Sequence, residues 1–215
     1  MSEATQLRAR ISRVLSAFGG ERPLANDAAL EQLLLWTTRV LEWNQRIDLT
    51  AARSHDELVD LLVADAAAIA MVGAGRLSGA WVDVGSGAGG PGLGLALLVP
   101  ESSLTLVEPK AKRVAFLRSV LGELAVSRVR VQRARSDELP SGTFDGALSR
   151  ATFSPGEWLK EGARLARTHV WVLLAQAEAP PATEFRPVLD HRYVWPLTGA
   201  ERRLVLYVRA DDVAG

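Results

Sequence analysis

The fold can be read from one stretch, Trp81-Val82-Asp83-Val84-Gly85-Ser86-Gly87-Ala88-Gly89-Gly90-Pro91-Gly92. A short apolar run ends at an acidic residue, and five glycines follow within eight positions. The apolar run Leu93-Gly94-Leu95-Ala96-Leu97-Leu98 comes directly after and can form a helix. Strand, glycine turn and helix are the arrangement in which an α/β sheet holds a nucleotide-like cofactor, because glycine permits positive φ and leaves room for a ligand at the backbone. This stretch therefore predicts a cofactor site.

The composition is that of a globular protein, with 215 residues of which 48% are hydrophobic. This length suits one domain of ordinary size. No apolar run in the sequence reaches the roughly 20 residues of a membrane-spanning helix, and the N-terminal residues lack the basic-then-apolar layout of a signal peptide. We therefore expect a cytoplasmic protein, acting as a monomer and not in a membrane.

Residue counts exclude several kinds of chemistry. The chain has no cysteine, which removes disulfides, thiolate zinc sites and cysteine nucleophiles. Its histidines, His55, His169 and His191, include no close pair, so we expect no metal centre. Lys plus Arg and Asp plus Glu number 25 each, so the net charge is zero. A nucleic-acid partner would therefore need a local basic patch.

The chain divides into an N-terminal helical cap, residues 1–75, and one compact α/β unit, residues 76–215. Apolar spacings of three and four predict helices at about 6–18, 27–44 and 56–71, the second of them capped by Asp27. From Ala80 onward short strands alternate with helices, which predicts a mostly parallel sheet with helices on both faces. The strands are expected at about 80–84, 103–107, 129–132, 144–149 and 169–174, and the helices at about 92–99, 110–124 and 155–165. The strand-like tail segments 188–195 and 203–208 predict a C-terminal antiparallel hairpin.

Ligands of open α/β sheets bind at the carboxyl ends of the strands, so the residues at these ends form the candidate site. The first strand delivers Asp83 and the glycine turn. The second delivers Glu108, 23 positions beyond the first glycine of the turn, where a carboxylate can accept hydrogen bonds from both hydroxyls of a ribose. The third is followed by Ser136 and Asp137, where a short polar side chain can bond the edge of an adenine. The fourth ends at Arg150, which can reach the cofactor or an adjacent substrate.

Two cofactors compete for the glycine turn. Gly85-x-Gly87-x-x-Gly90 matches the dinucleotide fingerprint, which keeps an NAD-linked oxidoreductase open. However, the carboxylate of Asp83 would disfavour a pyrophosphate, and too little chain follows the hairpin for a second half that holds a nicotinamide. Asp83 suits S-adenosylmethionine, which has no phosphate and carries a sulfonium and an ammonium. We therefore favour a methyltransferase that uses S-adenosylmethionine over a dehydrogenase.

Four segments carry a family resemblance. They are Trp43-Asn44-Gln45-Arg46-Ile47-Asp48-Leu49-Thr50-Ala51, the glycine stretch from Val82 to Gly92, Lys112-Arg113-Val114-Ala115-Phe116-Leu117-Arg118, and Phe144-Asp145-Gly146-Ala147-Leu148-Ser149-Arg150-Ala151. In order and spacing they resemble the G-type small-subunit ribosomal RNA methyltransferases, once called glucose-inhibited division protein B. The resemblance runs from about residue 30 to residue 209.

The resemblance implies a class I, Rossmann-like S-adenosylmethionine-dependent methyltransferase that methylates N7 of one guanine in 16S rRNA, in the decoding region of the small ribosomal subunit. By this resemblance, Gly85 and Gly90 line the cofactor, and Ser136 and Asp137 flank its adenine. Glu108 matches the family's acidic residue after the second strand, and Arg150 contacts the site. Guanine N7 has an exposed lone pair, so the reaction requires positioning rather than a strong base.

The chain departs from the family pattern mainly on the substrate side. Gly90 stands where the family has Phe or Leu, and Asp48 stands where it has Asn. Of an Arg-His…Asp-Ser pattern on the third helix only Asp65 remains, and a lysine is missing after the fifth strand. Asp65 is therefore either a buried carboxylate with a structural hydrogen bond or a catalytic residue, the role also expected of Arg150. Phe153 and Trp158 are candidates for stacking on a base, with core packing as the competing interpretation.

These departures keep two further functions open. One is a divergent methyltransferase of the same fold that acts on another RNA or on a small molecule. The other is a non-catalytic module that binds the cofactor and has lost its substrate side. Methylation of 16S rRNA with S-adenosylmethionine as the cofactor is the function that we expect.

Overall fold

The sheet extends outward from β1 (Gly79–Val84), whose last four residues are buried. A strand buried on both faces must be covered by helices on both sides, which is the α/β architecture. In the computed structural model, which describes residues 2–20 and 23–210, β1 has two parallel neighbours, β2 (Ser102–Val107) and β4 (Phe144–Ser149). The parallel order continues with β3 (Val129–Gln132) beyond β2 and β5 (Ala166–Leu174) beyond β4.

The last two strands form the predicted C-terminal antiparallel hairpin. β6 (Phe185–Val194) and β7 (Glu201–Arg209) pair with each other, and β7 also pairs antiparallel with β5. The strand order is therefore β3-β2-β1-β4-β5-β7-β6. Because β7 is antiparallel to both β5 and β6, β6 runs in the same direction as the five parallel strands. Its end therefore meets the sheet edge at which those strands end, and this edge carries the candidate site.

The first two helices of the chain form where apolar spacing predicts them, as α1 (Glu3–Gly19) and α2 (Asp27–Asn44). The predicted cap of α2 is wrong by one residue. The side chain of Asn26 accepts a hydrogen bond from the backbone N–H of Ala29 at 2.9 Å, and the backbone of Asn26 is still extended. Asn26 is therefore the N-cap, and Asp27 is the first residue inside the helix.

The third predicted helix contains an irregular turn. α3 (His55–Val59) and α4 (Asp65–Val72) are joined by one π-helical turn, Asp60–Ala64. Residues five apart point about 140° apart around an α-helix, and the wider π-helical turn brings them closer to one face. As a result, two carboxylates, Asp60 and Asp65, both contact the β6–β7 hairpin.

The three helices between the strands lie within one residue of their predicted bounds. They are α5 (Gly92–Leu98), α6 (Ala111–Leu124) and α7 (Pro155–Leu165). All seven residues of α5 are buried. The N-terminal helices, α5 and α6 share one hydrophobic core with one face of the sheet, and α7 packs in a second core on the other face. In the described ranges, no helix has the length and apolar character needed to cross a membrane.

Candidate functional site

The glycine turn after β1 has a backbone that other residues rarely adopt. Gly85, Gly87 and Gly89 have φ values of 74°, 54° and 106°, all in the left-handed region. A Cβ on Gly85 would overlap the side chain of Thr152, because the segment after β4 crosses directly over this glycine. The turn is therefore a close approach between two strand ends, β1 and β4, as well as a change of direction.

Asp83 lies under this turn with one carboxylate oxygen unsatisfied. The side chain is 1% exposed, and Oδ2 accepts a hydrogen bond from the backbone N–H of Gly92 at 3.0 Å. Oδ1 is buried and has no hydrogen-bond partner in residues 2–20 and 23–210. Burial raises the pKa of Asp83 to about 7, although the Gly92 N–H and the positive charge of Arg150 oppose that rise. A cationic group of a ligand would both satisfy Oδ1 and favour the ionised carboxylate.

Glu108, at the end of β2, is hydrogen-bonded to the backbone of the glycine turn. Its Oε2 accepts a hydrogen bond from the backbone N–H of Gly87 at 3.0 Å, and its Oε1 accepts one from the backbone N–H of Lys110 at 2.9 Å. The side chain is 2% exposed. Each carboxylate oxygen has two acceptor positions, so one on each oxygen remains for the ribose hydroxyls that the sequence suggests.

The connection between α2 and α3 covers the outer side of the turn. The carbonyl oxygen of Asp48 accepts hydrogen bonds from Nε and Nη2 of Arg113 at 3.1 and 3.0 Å. A Cβ on Gly87 would lie 3.9 Å from both Arg113 and the carbonyl oxygen of Leu49. The side-chain oxygen of Asn44 holds this connection by accepting the backbone N–H groups of Leu49 and Thr50, both at 3.0 Å.

Gly90 faces the N-terminal helices. A Cβ at this position would lie 3.3 Å from the carbonyl oxygen of Leu61 and 3.4 Å from Cα of Leu62. The space that a bulky side chain would take is therefore occupied by the backbone of the π-helical turn. Among the three glycines of the predicted fingerprint, Gly85 and Gly87 have the left-handed conformation and Gly90 provides a close packing contact.

Ser136 and Asp137 lie on a short 3₁₀ turn after β3, Ser136–Glu138. Ser136 is half-buried, whereas Asp137 is exposed and bonds Nε of Arg135 at 3.2 Å. Both residues line a groove of about 570 Å³ that runs along α7 and also contains Phe153, and neither the glycine turn nor Glu108 lines it. Phe153 in turn lines a second cleft around Arg150, so this ring stands between the two. Trp158 is buried in the core and donates to the carbonyl oxygen of Trp171, which confirms core packing for that residue.

Asp65 and Arg150 are neighbours, although 85 positions separate them in the chain. Nη1 of Arg150 lies 3.7 Å from Oδ2 of Asp65, and the Asp65 side chain is 2% exposed. Oδ1 of Asp65 accepts two hydrogen bonds of 2.7 Å, one from the hydroxyl of Tyr193 and one from Nε1 of Trp195. Asp65 therefore has the structural hydrogen bonds that a buried carboxylate requires and also faces the arginine.

A tight turn after β4 directs Arg150 towards this carboxylate. Ser149 donates a hydrogen bond of 2.7 Å to the carbonyl oxygen of Val84, which joins the ends of β4 and β1. Ala151 has a φ of 56°, in the left-handed region that is unfavourable for alanine. Such local strain is common where a side chain must be held in a particular direction at a functional site.

The hairpin supplies site residues that the sequence did not reveal. Tyr193, Trp195 and Arg202 line a cleft of about 380 Å³ together with Asp65 and Arg150. The guanidinium carbon of Arg202 lies 3.8 Å from the ring centroid of Trp195. Aromatic residues near the end of a predicted strand were visible in the sequence. Their relevance depended on the direction of β6, which brings its end to the carboxyl edge of the sheet.

Asp60 attaches the tip of the hairpin to the π-helical turn. Its carboxylate accepts hydrogen bonds from the backbone N–H of Leu197 at 3.2 Å and from the N–H and hydroxyl of Thr198, both at 2.8 Å. Burial raises the pKa of Asp60, partly offset by the two Thr198 donors. With Asp65, it fixes one wall of the Arg150 cleft. Over the described part of the chain, no cluster of three or more His, Cys, Asp or Glu side chains is placed to hold a metal ion.

Comparisons with known proteins identify the family to which the chain belongs. Residues 29–184 match the family described as rRNA small subunit methyltransferase G. The ribosomal RNA small subunit methyltransferase G of Halorhodospira halophila is 37% identical over 190 residues, which cover 85% of this chain and 88% of that protein. The protein of the same name from Vibrio vulnificus is 30% identical over 200 residues, which cover 87% and 91%.

Two solved methyltransferases of low sequence identity share this fold. TrmN from Thermus thermophilus has a TM-score of 0.50 at 21% identity, over 88% of this chain and 54% of that chain. The Burkholderia thailandensis 1,6-didemethyltoxoflavin-N1-methyltransferase, solved with its substrate and S-adenosylhomocysteine, has a TM-score of 0.50 at 18% identity, over 88% and 92%. The likeness confirms the predicted fold class, a mostly parallel Rossmann-like sheet with an antiparallel hairpin.

Proposed function

We propose that this chain, which belongs to the rRNA small subunit methyltransferase G family, transfers the methyl group of S-adenosylmethionine to N7 of a guanine in 16S rRNA. The observation that carries the proposal is the placement of two features side by side. The glycine turn with the buried Asp83 and the cleft with Asp65 and Arg150 lie at one sheet edge, separated by the segment that crosses Gly85. A cofactor and an acceptor base bound there would be neighbours.

The cofactor side suits S-adenosylmethionine better than a dinucleotide. Oδ1 of Asp83 is a buried acceptor with no partner in the described residues, and it lies beside a turn whose glycines leave the backbone open. An ammonium or sulfonium can satisfy such an oxygen, whereas a pyrophosphate would be repelled by it. Use of S-adenosylmethionine is also a property of the methyltransferases that share this fold, one of which is solved with S-adenosylhomocysteine bound.

The remaining cofactor contacts follow from the ends of β2 and β3. We assign to Glu108 the two ribose hydroxyls, because its oxygens retain one acceptor position each beyond the bonds to Gly87 and Lys110. Ser136 and Asp137 are assigned to the adenine edge, because they follow β3 at the carboxyl edge of the sheet, next to the strand that ends at Glu108.

The reaction requires alignment rather than proton transfer. When bound, S-adenosylmethionine supplies a methyl group on a positively charged sulfur, and this group is lost from sulfur as the N7–carbon bond forms. Arg150 and Asp65 hold the acceptor base in the cleft, and Trp195 and Tyr193 form its wall. Guanine N7 already carries the lone pair that attacks, so the protein contributes position and exclusion of water. We therefore name Arg150 and Asp65 as catalytic residues through contact with the base.

Calorimetric titration separates the competing functions. The proposal predicts binding of S-adenosylmethionine and S-adenosylhomocysteine and no binding of NAD. An NAD-linked oxidoreductase would reverse this pattern, and absence of binding by both methionine cofactors would refute the proposal. The variant Arg150→Ala should keep most of the cofactor affinity and lose methyl transfer to small ribosomal subunits. A variant with unchanged binding and unchanged turnover would remove Arg150 from the site.

A further inference from the structure

The two oxygens of the Asp65 carboxylate have different surroundings. Oδ1 accepts hydrogen bonds from Tyr193 and Trp195, both at 2.7 Å, which occupies its two acceptor positions. Oδ2 has no hydrogen bond from any residue that the structure describes, and its near neighbour is Nη1 of Arg150 at 3.7 Å. The oxygen that remains for a ligand in the cleft is therefore Oδ2.

Asp65 and Arg150 together present one acceptor and one donor to the cleft that both residues line. Arg150 must be the donor and Asp65 the acceptor, because a guanidinium only donates hydrogen bonds and an ionised carboxylate only accepts them. The aromatic donors on Oδ1 also prevent the carboxylate from turning away, since either Tyr193 or Trp195 would then lose a buried partner. The pair is thus a fixed pattern that a base edge either matches or opposes.

Guanine and adenine present opposite patterns to such a pair. Guanine offers O6, an acceptor, beside N1–H, a donor. Adenine offers an N6 amino group, a donor, beside N1, an acceptor. A neighbouring guanidinium and carboxylate therefore complement guanine at both positions and oppose adenine at both. Recognition of this base edge leaves N7 on the other ring free to react.

We propose that Arg150 and Asp65 select guanine, with Arg150 donating to O6 and Oδ2 of Asp65 accepting from N1–H. The inference rests on the proposed function and adds the atoms by which the acceptor base is recognised. Tyr193 and Trp195 act as positioning residues, because they touch the carboxylate and hold its other oxygen. A site whose buried polar groups lose their partners discriminates by about 100-fold or more.

Base analogues test this assignment atom by atom. After the methylated guanine has been mapped, the same rRNA is prepared with inosine, 2-aminopurine or adenine at that position. Inosine keeps O6 and N1–H, so its kcat/KM should be within about threefold of that for guanine. 2-Aminopurine has no O6 and its N1 is an acceptor, so it should fall by about 100-fold or more, as adenine should. Equal methylation of guanine and 2-aminopurine would overturn the inference.

The variant Asp65→Asn exchanges the acceptor for a donor. Since Tyr193 and Trp195 require an oxygen, the amide oxygen should stay on them and the amide nitrogen should face the cleft. Guanine should then lose more activity than 2-aminopurine, and the preference between them should shrink by roughly tenfold or more. An unchanged preference in a variant that still binds S-adenosylmethionine would overturn the inference.

Tyr193→Phe tests the positioning role with a smaller change, and Tyr207→Phe is its matched control. Tyr207 is also buried and donates through its hydroxyl, but to the carbonyl oxygen of Pro180, outside the cleft. Tyr193→Phe should reduce the preference for guanine over 2-aminopurine several-fold, and Tyr207→Phe should leave it unchanged. Equal effects of the two variants would overturn the positioning role.

These outcomes differ from a failure of the proposed function. If the wild-type protein binds S-adenosylmethionine and methylates no guanine in 16S rRNA, the proposed function fails and the selection of guanine fails with it. If it methylates guanine and accepts 2-aminopurine equally well, the proposed function stands and only the assignment of Arg150 and Asp65 is refuted.

Discussion

The carboxylate of Asp83 accepts a hydrogen bond of 3.0 Å from the backbone N–H of Gly92. The bond joins the end of β1 to the first residue of α5, so it spans the whole glycine turn. It satisfies only Oδ2, and Oδ1 is left without a partner in the described residues. The geometry of the cofactor turn and the ionisation of Asp83 are therefore linked.

Asp83→Asn should remove a pH-dependent cost of folding. Burial raises the pKa of Asp83 to about 7 in the folded state, from 3.8 in its ordinary state. The folded protein thus holds this proton more tightly than the unfolded chain does. Its unfolding free energy therefore falls as the pH rises from 3.8 to about 7. Asparagine cannot ionise. The unfolding free energy of the variant relative to wild type should rise by about 1.6 kcal/mol between pH 5.5 and 7.

Urea unfolding of both proteins, without cofactor, measures this difference, and other titrating groups cancel in it. A constant difference between pH 5.5 and 7 would show that Asp83 is already ionised in the folded protein. The same variant should bind S-adenosylmethionine more weakly than wild type, because the ionised carboxylate is the proposed partner of a positive group.

Gly92→Ala should destabilise the protein through the same contact. A Cβ at position 92 would lie 2.6 Å from both Cβ and Oδ2 of Asp83, which forces the carboxylate or the turn to move. We expect a loss of roughly 1–3 kcal/mol in chemical unfolding. Gly122→Ala is the matched control, since it lies in α6 and a Cβ there meets nothing within 4 Å. The control should be stabilised by about 0.5–1 kcal/mol. Equal effects would argue against the contact.

Trp36→Phe should loosen the cofactor turn from the helical side. Nε1 of Trp36 donates to the carbonyl oxygen of Ala88 at 2.9 Å, in a fully buried contact between α2 and the glycine turn. Loss of the donor leaves a buried carbonyl unsatisfied, which costs about 1–3 kcal/mol. Calorimetry should show weaker binding of S-adenosylmethionine. Trp43→Phe changes the same ring in the same helix, where the ring packs on Phe116, and should have the smaller effect on cofactor binding.

Asp60→Ala should weaken methyl transfer without weakening cofactor binding. The variant leaves the backbone N–H groups of Leu197 and Thr198 without their acceptor and loosens the hairpin tip that carries Trp195. We expect a loss of roughly 2–4 kcal/mol in stability and a higher KM for rRNA. Asp56→Ala, in the neighbouring α3, removes a half-buried pair with Arg10 and should cost about 1 kcal/mol or less. A lower cofactor affinity in Asp60→Ala would contradict the assignment of the hairpin to the acceptor cleft alone.

The strand ends could be predicted from the sequence, and their lateral order could not. Alternating apolar runs locate β1 and its parallel neighbours, so Asp83, Glu108 and Arg150 are found at strand ends as expected. The tail segments appear only as strand-like. Their composition does not predict that β7 lies between β5 and β6. This strand order places Tyr193 within hydrogen-bond distance of Asp65.

The surroundings of Gly90 are a second feature that could not be predicted from the sequence. This glycine stands where the family has a bulky residue, and the space that such a side chain would take holds the backbone of the π-helical turn next to Leu61 and Leu62. The sequence of that segment reads as a continuous amphipathic helix, since a π-helical turn has no distinct apolar spacing. Local irregularity of this kind depends on tertiary contacts, here the two carboxylates that meet the hairpin.

The central claim is methylation of guanine N7 in 16S rRNA, and transfer of a labelled methyl group measures it directly. Small ribosomal subunits from cells that lack this activity are incubated with the protein and labelled S-adenosylmethionine, and the rRNA is digested to nucleosides. The account predicts one 7-methylguanosine per 16S rRNA, with much less label after Arg150→Ala. Label in another nucleoside, or no label with a protein that binds the cofactor, would contradict it.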